Sequence, residues 1–373
     1  MVVKVYAPPT LSDGQWTPWQ HAFSFAAADV AAYEYDEPLD EKGSFRIVLP
    51  FSKERLAALT MNSIIQVVDD RFNAQDWLIC ESISYDGRQL ALTGHDCRAL
   101  LSMRQTIPPQ GEDHDMYKAG LGNCVRRLLF HNCTYDSEFG YSLPEARRLP
   151  IRAPSASAVT TVSSYMTAYD DLGEVITELC RAAGVGYRIT GANYSEGFAF
   201  QFIVGADRSI NQNDRGKVIF SVREKNVTEL SFEHDVQNLK NCIYAKDSNG
   251  TVQTVHRDSE TSGLSRRECA VSVNATVAQE DYFRALVLDT VKDNIETHSY
   301  TLSASAASGY NNRYFLGDTV TVRDVFTGSQ YSGMITGAGK SFGAGQCSLT
   351  ITIGKPKQKL LDRIVKNLKN GVI

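Results

Sequence analysis

The stretch "MNSIIQVVD", Met61 to Asp69, is answered far along the chain by "LGDTVTVRD", Leu316 to Asp324. Met61, Ile65, Val67 and Asp69 match Leu316, Val320, Val322 and Asp324, and both stretches show the period of two expected of a half-buried strand. Upstream, with the same offset and no gap, Phe45, Ile47 and Leu49 of "GSFRIVLPF" match Tyr300, Leu302 and Ala304 of "SYTLSAS". Downstream, the second copy has a slightly longer hairpin. The match then resumes with Gly94, Leu100 and Leu101 against Gly354, Leu360 and Leu361. Each copy reads strand, connection, strand, hairpin, strand, glycine, helix. Order and spacing held over three strands and a helix indicate a duplicated unit.

The repeat bears on "TGHDCRALLSMR", Thr93 to Arg104, where His95, Asp96 and Cys97 carry the groups of a thiol nucleophile, its base and its orienter. In the second copy those positions fall on Lys355, Pro356 and Lys357, which cannot act that way. Consecutive residues also point in different directions in a strand or a helix. The simpler expectation is a strand-to-helix junction, with Asp96 as the helix N-cap and Pro356 in a first helical turn.

The chain has 373 residues, 43% apolar and 22% charged, as in ordinary globular proteins of several domains. Its net charge of −5 argues against binding nucleic acid by broad phosphate neutralisation. The N-terminus "MVVKVYAPPTLSDGQW" has no signal-peptide pattern, and no segment is apolar for the length of a membrane span. Folding in a cytoplasm is expected. The eight cysteines, Cys80, Cys97, Cys124, Cys133, Cys180, Cys242, Cys269 and Cys347, include no Cys-x-x-Cys pair and read as reduced core thiols. Cys124, His131 and Cys133 fit no standard zinc spacing, so helix packing is expected there.

Between the copies the pattern changes. Val125, Leu128 and Leu129 recur at helical spacing in "YKAGLGNCVRRLLFHN". So do Leu172, Val175, Ile176 and Leu179 in "DDLGEVITELCRAAGVGYRI", where Gly184 ends the helix. This divides the chain into a first strand-rich domain at 1–104, an α/β insert at 105–225, a second strand-rich domain at 226–354 and a C-terminal helix at 355–373. A capping box, Thr276 to Gln279, opens a helix bearing Phe283, Leu286, Val287, Val291 and Ile295 on one face. The C-terminal helix has an apolar stripe of Leu360, Leu361, Ile364, Val365 and Leu368 on an otherwise basic segment; a membrane-surface helix is one reading, and docking on the chain's own strand-rich domain or on a neighbouring component is the expectation.

Several stretches together resemble one family. "YFLGDTVTVRD", "GMITGAG" and "SLTITIG" are similar to the closing barrel of siphophage tail-hub proteins, relatives of the trimeric baseplate hubs of contractile tails. "WLICESISYD", "LALTGHDCRALLSMR", "DDLGEVITELCRAAGVGYRI", "IVGADRS", "KVIFS" and "NLKNCIYAK" occur in that family's order, so the resemblance runs from about Gly43 to about Gly354. It implies an α+β, mainly β fold: two duplicated tube-like antiparallel β-barrel domains with a small α/β insert. It also implies a homotrimer whose six barrels form a pseudo-sixfold ring around a channel. Such a ring would adapt a sixfold tail tube to a threefold tip or spike. The implied neighbours are a distal tail protein or tail tube above, a tip, spike or fibre component below, and the tape-measure protein in the channel. The place is the tail tip or baseplate of a virion, prophage particle or tailocin, assembled in the host cytoplasm.

The family's motifs carry over as structure. Gly317 and Asp318 fit a turn into a strand. Gly205, Asp207 and Arg208 are expected to make an ion pair within the insert or to lie in a solvated loop. Asn241 is expected to bond a neighbouring backbone, and Gly94, Asp96 and Gly354 mark the strand-to-helix junctions. No catalytic, metal or cofactor residues are expected. The rival readings are a tail-tip peptidoglycan hydrolase and a receptor- or carbohydrate-binding module. The first needs paired carboxylates, and those of "YEYDEPLDEKG" read as a solvated loop. The second needs exposed aromatic platforms, and Trp16, Trp19 and Trp77 form no clear set.

Overall fold

Phe45, Ile47 and Leu49 point inward from a strand, each almost wholly buried, as their spacing requires. The computed structural model describes residues 1–12, 15–17, 19–134, 143–191, 197–213, 216–278, 280–304, 309–343 and 345–354. It is mainly β, and the chain divides into two compact units. The first comprises residues 1–230 and 302–353, the second residues 231–301 and 354–373.

The first unit opens with β1 (Val2–Tyr6), β2 (Leu11–Ser12), β3 (Gln15–Trp16), β4 (His21–Ala26), β5 (Ala32–Pro38) and β6 (Ser44–Pro50). After α1 (Lys53–Ala58) come β7 (Ile64–Asp69), β8 (Ala74–Tyr85), β9 (Gln89–Asp96) and α2 (Ala99–Ser102). The stretch 105–225, expected as an insert, holds β10 (Asp115–Gly120), α3 (Leu121–Asn132), β11 (Ile151–Arg152), β12 (Val162–Thr167), α4 (Leu172–Ala182), β13 (Gly186–Gly191), β14 (Phe198–Ile203) and β15 (Ile219–Phe220). β16 (Val227–Asp235) leads to β17 (Cys242–Lys246), β18 (Val252–His256), β19 (Glu268–Ser272), α5 (Glu280–Thr290) and β20 (Thr297–Ala304). The first unit ends with β21 (Thr319–Arg323), β22 (Gln330–Gly343) and β23 (Gln346–Gly354).

The two matched stretches have the same strand pairing. β6 pairs β9, β9 pairs β8 and β8 pairs β7 in the first. In the second, β23 pairs β22 and β22 pairs β21. The register agrees residue for residue: Ile64 faces Ile79 and Val68 faces Gln75, as Thr319 faces Met334 and Arg323 faces Gln330. Both long strands carry a bulge at the same place, between Cys80 and Ser82 and between Ile335 and Gly337. The entering turns also agree. Asn62 and Gly317 both take positive φ, and the Ser63 hydroxyl accepts from Thr60 N as the Asp318 carboxylate accepts from Phe315 N. A left-handed backbone favours Gly or Asn, which accounts for that pair.

The register moves one expected correspondence. Gly94 lies opposite Cys80, and Ile353 lies opposite Ile335, so Gly94 corresponds to Ile353 and not to Gly354. The outermost pair is Asp86 and Gln89 in the first hairpin and Gly343 and Gln346 in the second, so the second is two residues longer on each arm. A hairpin extended on both arms grows by an even number, which keeps every side chain on its face. Aligning the glycines required an odd insertion and would have inverted one strand.

The two strand sets share one sheet. β22 pairs antiparallel with β5, from Gly337 opposite Pro38 to Gly343 opposite Ala32. The order within the first unit is then β23-β22-β5-β6-β9-β8-β7-β1-β4. Among the described residues no sheet closes on itself. The acidic "YEYDEPLDEKG", expected as a solvated loop, begins inside β5, where Tyr33 and Tyr35 are buried and only the intervening residues face out. Its charges masked the period of two.

One core lies against this sheet, with Val5, Ile47, Leu49, Val67, Leu78 and Leu92 at its centre. A second core joins the insert to the first strand set. There Leu128 of α3 and Ile176 of α4 pack with Trp19, Trp77 and Phe198. Trp19 meets Trp77 edge-on with ring centroids 4.9 Å apart. Asp171 caps α4 by accepting from Glu174 N, and Gly184, at φ +69°, follows its end.

In the second unit, β17 lies between antiparallel β18 and parallel β19. Phe283 and Val287 of α5 share a core with Ile243, Ala245, Val255 and Val271. Among the described residues no helix is long and apolar enough to cross a membrane. The expected C-terminal helix, with Leu360, Leu361, Ile364, Val365 and Leu368, lies outside the described residues, as does Gln279 of the capping box.

Candidate functional site

Two motifs that stand far apart in sequence form one junction. Gly205 lies so close to the backbone of Gly317 that a Cβ would overlap the Gly317 carbonyl. Beside this contact, the buried Asp318 carboxylate accepts from Phe315 N at 3.0 Å, Ala206 N at 2.7 Å and Arg208 Nε at 2.6 Å. Arg208 N donates to Thr319 O, and Thr319 N to Ala206 O. The partner of Arg208 is therefore Asp318, across the junction, and not Asp207. Asp207 accepts from Ser209 N at 2.8 Å and shapes its own turn. The ion pair fixes the insert to the second strand set.

Asp96 forms the matching junction on the first set. Arg98 donates to it from Nε and Nη2, the latter at 2.6 Å, and both side chains are buried. Asp96 also accepts from Gly43 N at 2.7 Å and from the Tyr35 hydroxyl at 3.2 Å. The guanidinium reaches on to Pro38 O at 2.8 Å and to Tyr187 O, on the insert, at 3.3 Å. Asp96 is thus not the cap of α2, whose N-cap position is Arg98 and has no side-chain bond. Oδ1 of Asp96 accepts from Arg98 N at 3.0 Å, while the guanidinium of the same arginine pairs the buried charge, which would be costly alone.

The residues around Asp96 do not form a nucleophile with its base. His95 Nδ1 bonds the Glu81 carboxylate at 2.5 Å. Cys97 is buried, and burial pushes its thiol well above its ordinary value, the reverse of an activated thiolate. Cys124 donates to backbone oxygens of Ala119 and Ser163, and His131 Nδ1 bonds Asp115 at 3.3 Å. Cys133 is buried, with its thiol pushed up to about 12. These three residues each have another packing or bonding role.

A third cluster was not anticipated from sequence. Lys340 of β22 is buried, with its ammonium 2.6 Å from Asp76 of β8 and 3.0 Å from Glu37 of β5. The Tyr33 hydroxyl donates to Asp76 at 2.8 Å, and the Tyr310 hydroxyl to Glu37 at 3.3 Å. Burial alone raises both carboxyls. Lys340 outweighs it at Glu37, which is held below its ordinary value, whereas Asp76 stays above its own. The cluster ties the second strand set to the first. Its signal was present: Lys340 falls in step with buried Ala338 and Phe342, and a charge at an inward position requires partners.

Asn241 of the second unit bonds neighbouring backbone, accepting from Arg267 N and donating to Ser265 O, each at 2.8 Å. Gly94 lies where a Cβ would strike the Ile79 carbonyl beside the β8 bulge. Gly354 ends β23 at φ +90°.

Residues 25–355 match the model of the Siphovirus ReqiPepy6 Gp37-like protein family. No curated protein sequence matches the chain. Among solved structures, a tail protein from Neisseria meningitidis is similar at 13% identity and a TM-score of 0.55, over 95% of this chain and 96% of that one. The 43 kDa tail protein of prophage MuSo2 from Shewanella oneidensis is similar at 11% identity and a TM-score of 0.53, over 96% and 99%. A chain of the Francisella PdpA–VgrG complex is similar at 9% identity and a TM-score of 0.51, over 96% of this chain and 53% of that one. At these identities the likeness is one of fold, and it agrees with the family match. The chain belongs to the Siphovirus ReqiPepy6 Gp37-like protein family, a family of phage tail proteins.

Proposed function

We propose that the protein is the structural hub of a tail tip, in which three chains close a ring around a channel and adapt a sixfold tube to a threefold tip. The observation that carries this is the β22–β5 pairing. β8 is the first-copy equivalent of β22, and its residues 82–85 pair with β9 on one side only. β16 stands beside β20 as β5 stands beside β6, and among the described residues it is an edge strand. An open strand edge is a template for pairing. The junction made inside the chain by β22 and β5 is repeated between chains by β8 of one and β16 of the next. Such head-to-tail contacts generate a closed ring when the rotation allows it. Three chains then give six similar junctions, alternately within and between chains.

In this reading, residues 1–104 and 226–354 form the two tube-like domains and 105–225 the insert. Gly205, Asp207, Arg208, Gly317 and Asp318, with Asp96, Gly94, Asn241 and Gly354, hold the frame. The segment 355–373 attaches the tip component. A tube or distal tail protein stacks above, and the tape-measure protein occupies the channel. The role is structural and not catalytic. Sedimentation of the purified chain tests it: a species of three chains is expected, and a monomer at all concentrations contradicts it.

A further inference from the structure

We propose that His234, Glu296 and His298 bind a divalent transition-metal ion, with zinc the natural occupant. His234 lies on β16 and His298 on β20, with ring centroids 4.0 Å apart. Both present Nε2 to the same oxygen, Glu296 Oε1, at 2.5 Å and 3.0 Å. The three ligating atoms all lie within 4.8 Å of one another. Two ligands of one tetrahedral zinc, each about 2.0–2.1 Å from it, stand roughly 3.3 Å apart. The groups therefore need only small side-chain rotations to enclose an ion.

Two imidazoles and a carboxylate are a three-ligand set of zinc sites that keep a fourth position open. The same donors suit nickel and copper. Phe232 packs on Tyr300 at 4.8 Å and lies 6.2 Å from the His298 ring, which braces that ring from one side. All three ligands are half exposed, so an ion enters directly from solvent. The site lies wholly in the second unit and does not rest on the ring reading.

The test is calorimetric titration of zinc chloride into the full chain carrying Cys347→Ser, since Cys347 is the one cysteine not buried. One ion per chain is expected. His234→Gln, His298→Gln and Glu296→Gln should each weaken binding by at least about tenfold, the least that losing even a ligand's hydrogen-bond partner costs. Visible absorption of bound cobalt should be lost in the same variants, with circular dichroism unchanged. Absence of saturable binding overturns the proposal. So does binding of zinc that all three substitutions leave intact, which would place the ion elsewhere.

Discussion

Lys340 is the residue on which the junction of the two strand sets depends most. Its ammonium stands between the carboxylates of buried Asp76 and of Glu37, whose side chain is mostly covered. Removing it leaves two negative charges facing each other out of water. Lys340→Met should cost about 3–5 kcal/mol in urea denaturation, as loss of one partner of a buried pair does. Adding Asp76→Asn and Glu37→Gln should recover much of that, because the unpaired charges go with the lysine. Burial tends to raise Asp115, but the bond from His131 and the charge of Arg127 hold its carboxyl below its ordinary value. A depressed carboxyl contributes stability above its unfolded value and loses it as pH falls through the folded one. Melting temperature should therefore drop below about pH 4, and drop less steeply in Asp115→Asn. At this scale the sequence singled out residues without showing what they touch. Asp96, Arg208 and Asp318 stood out, but their partners lie across the fold, where neighbours in sequence give no guide.

The strands were legible because alternation is local. Phe45, Ile47, Val67 and Val320 announce their faces without any knowledge of the rest of the chain. Register was less so, since it depends on how many residues a hairpin holds, and the Gly94–Gly354 match slipped by one for that reason. β5 was obscured by its own outward acids. The approach of Gly205 to Gly317 could not be read either, because backbone contact between distant segments leaves no periodic trace. It has a clear consequence. Asp318→Ala removes the acceptor of two backbone amides and of Arg208, and should cost about 3 kcal/mol by urea denaturation. Limited proteolysis should show cleavage gained near residues 204–210, where that segment meets the second strand set.

The match of spacing seen in sequence carries, in the structure, matched registers, bulges and turns in the two stretches. The ring follows if the junction inside the chain is also made between chains. Tyr35 faces Phe45 in β5 and β6, and Phe232 packs on Tyr300 in β16 and β20. On that correspondence, the pair Gly339 and Asp36 becomes Ser84 of one chain and Glu233 of the next. Cysteines at those two positions, Ser84→Cys and Glu233→Cys in one chain, should oxidise between neighbours. The decisive measurement is the mass of the oxidised product on a non-reducing gel. The account predicts a ladder that stops at three covalently joined chains. A product that stays monomeric, or a ladder that runs past three, contradicts it.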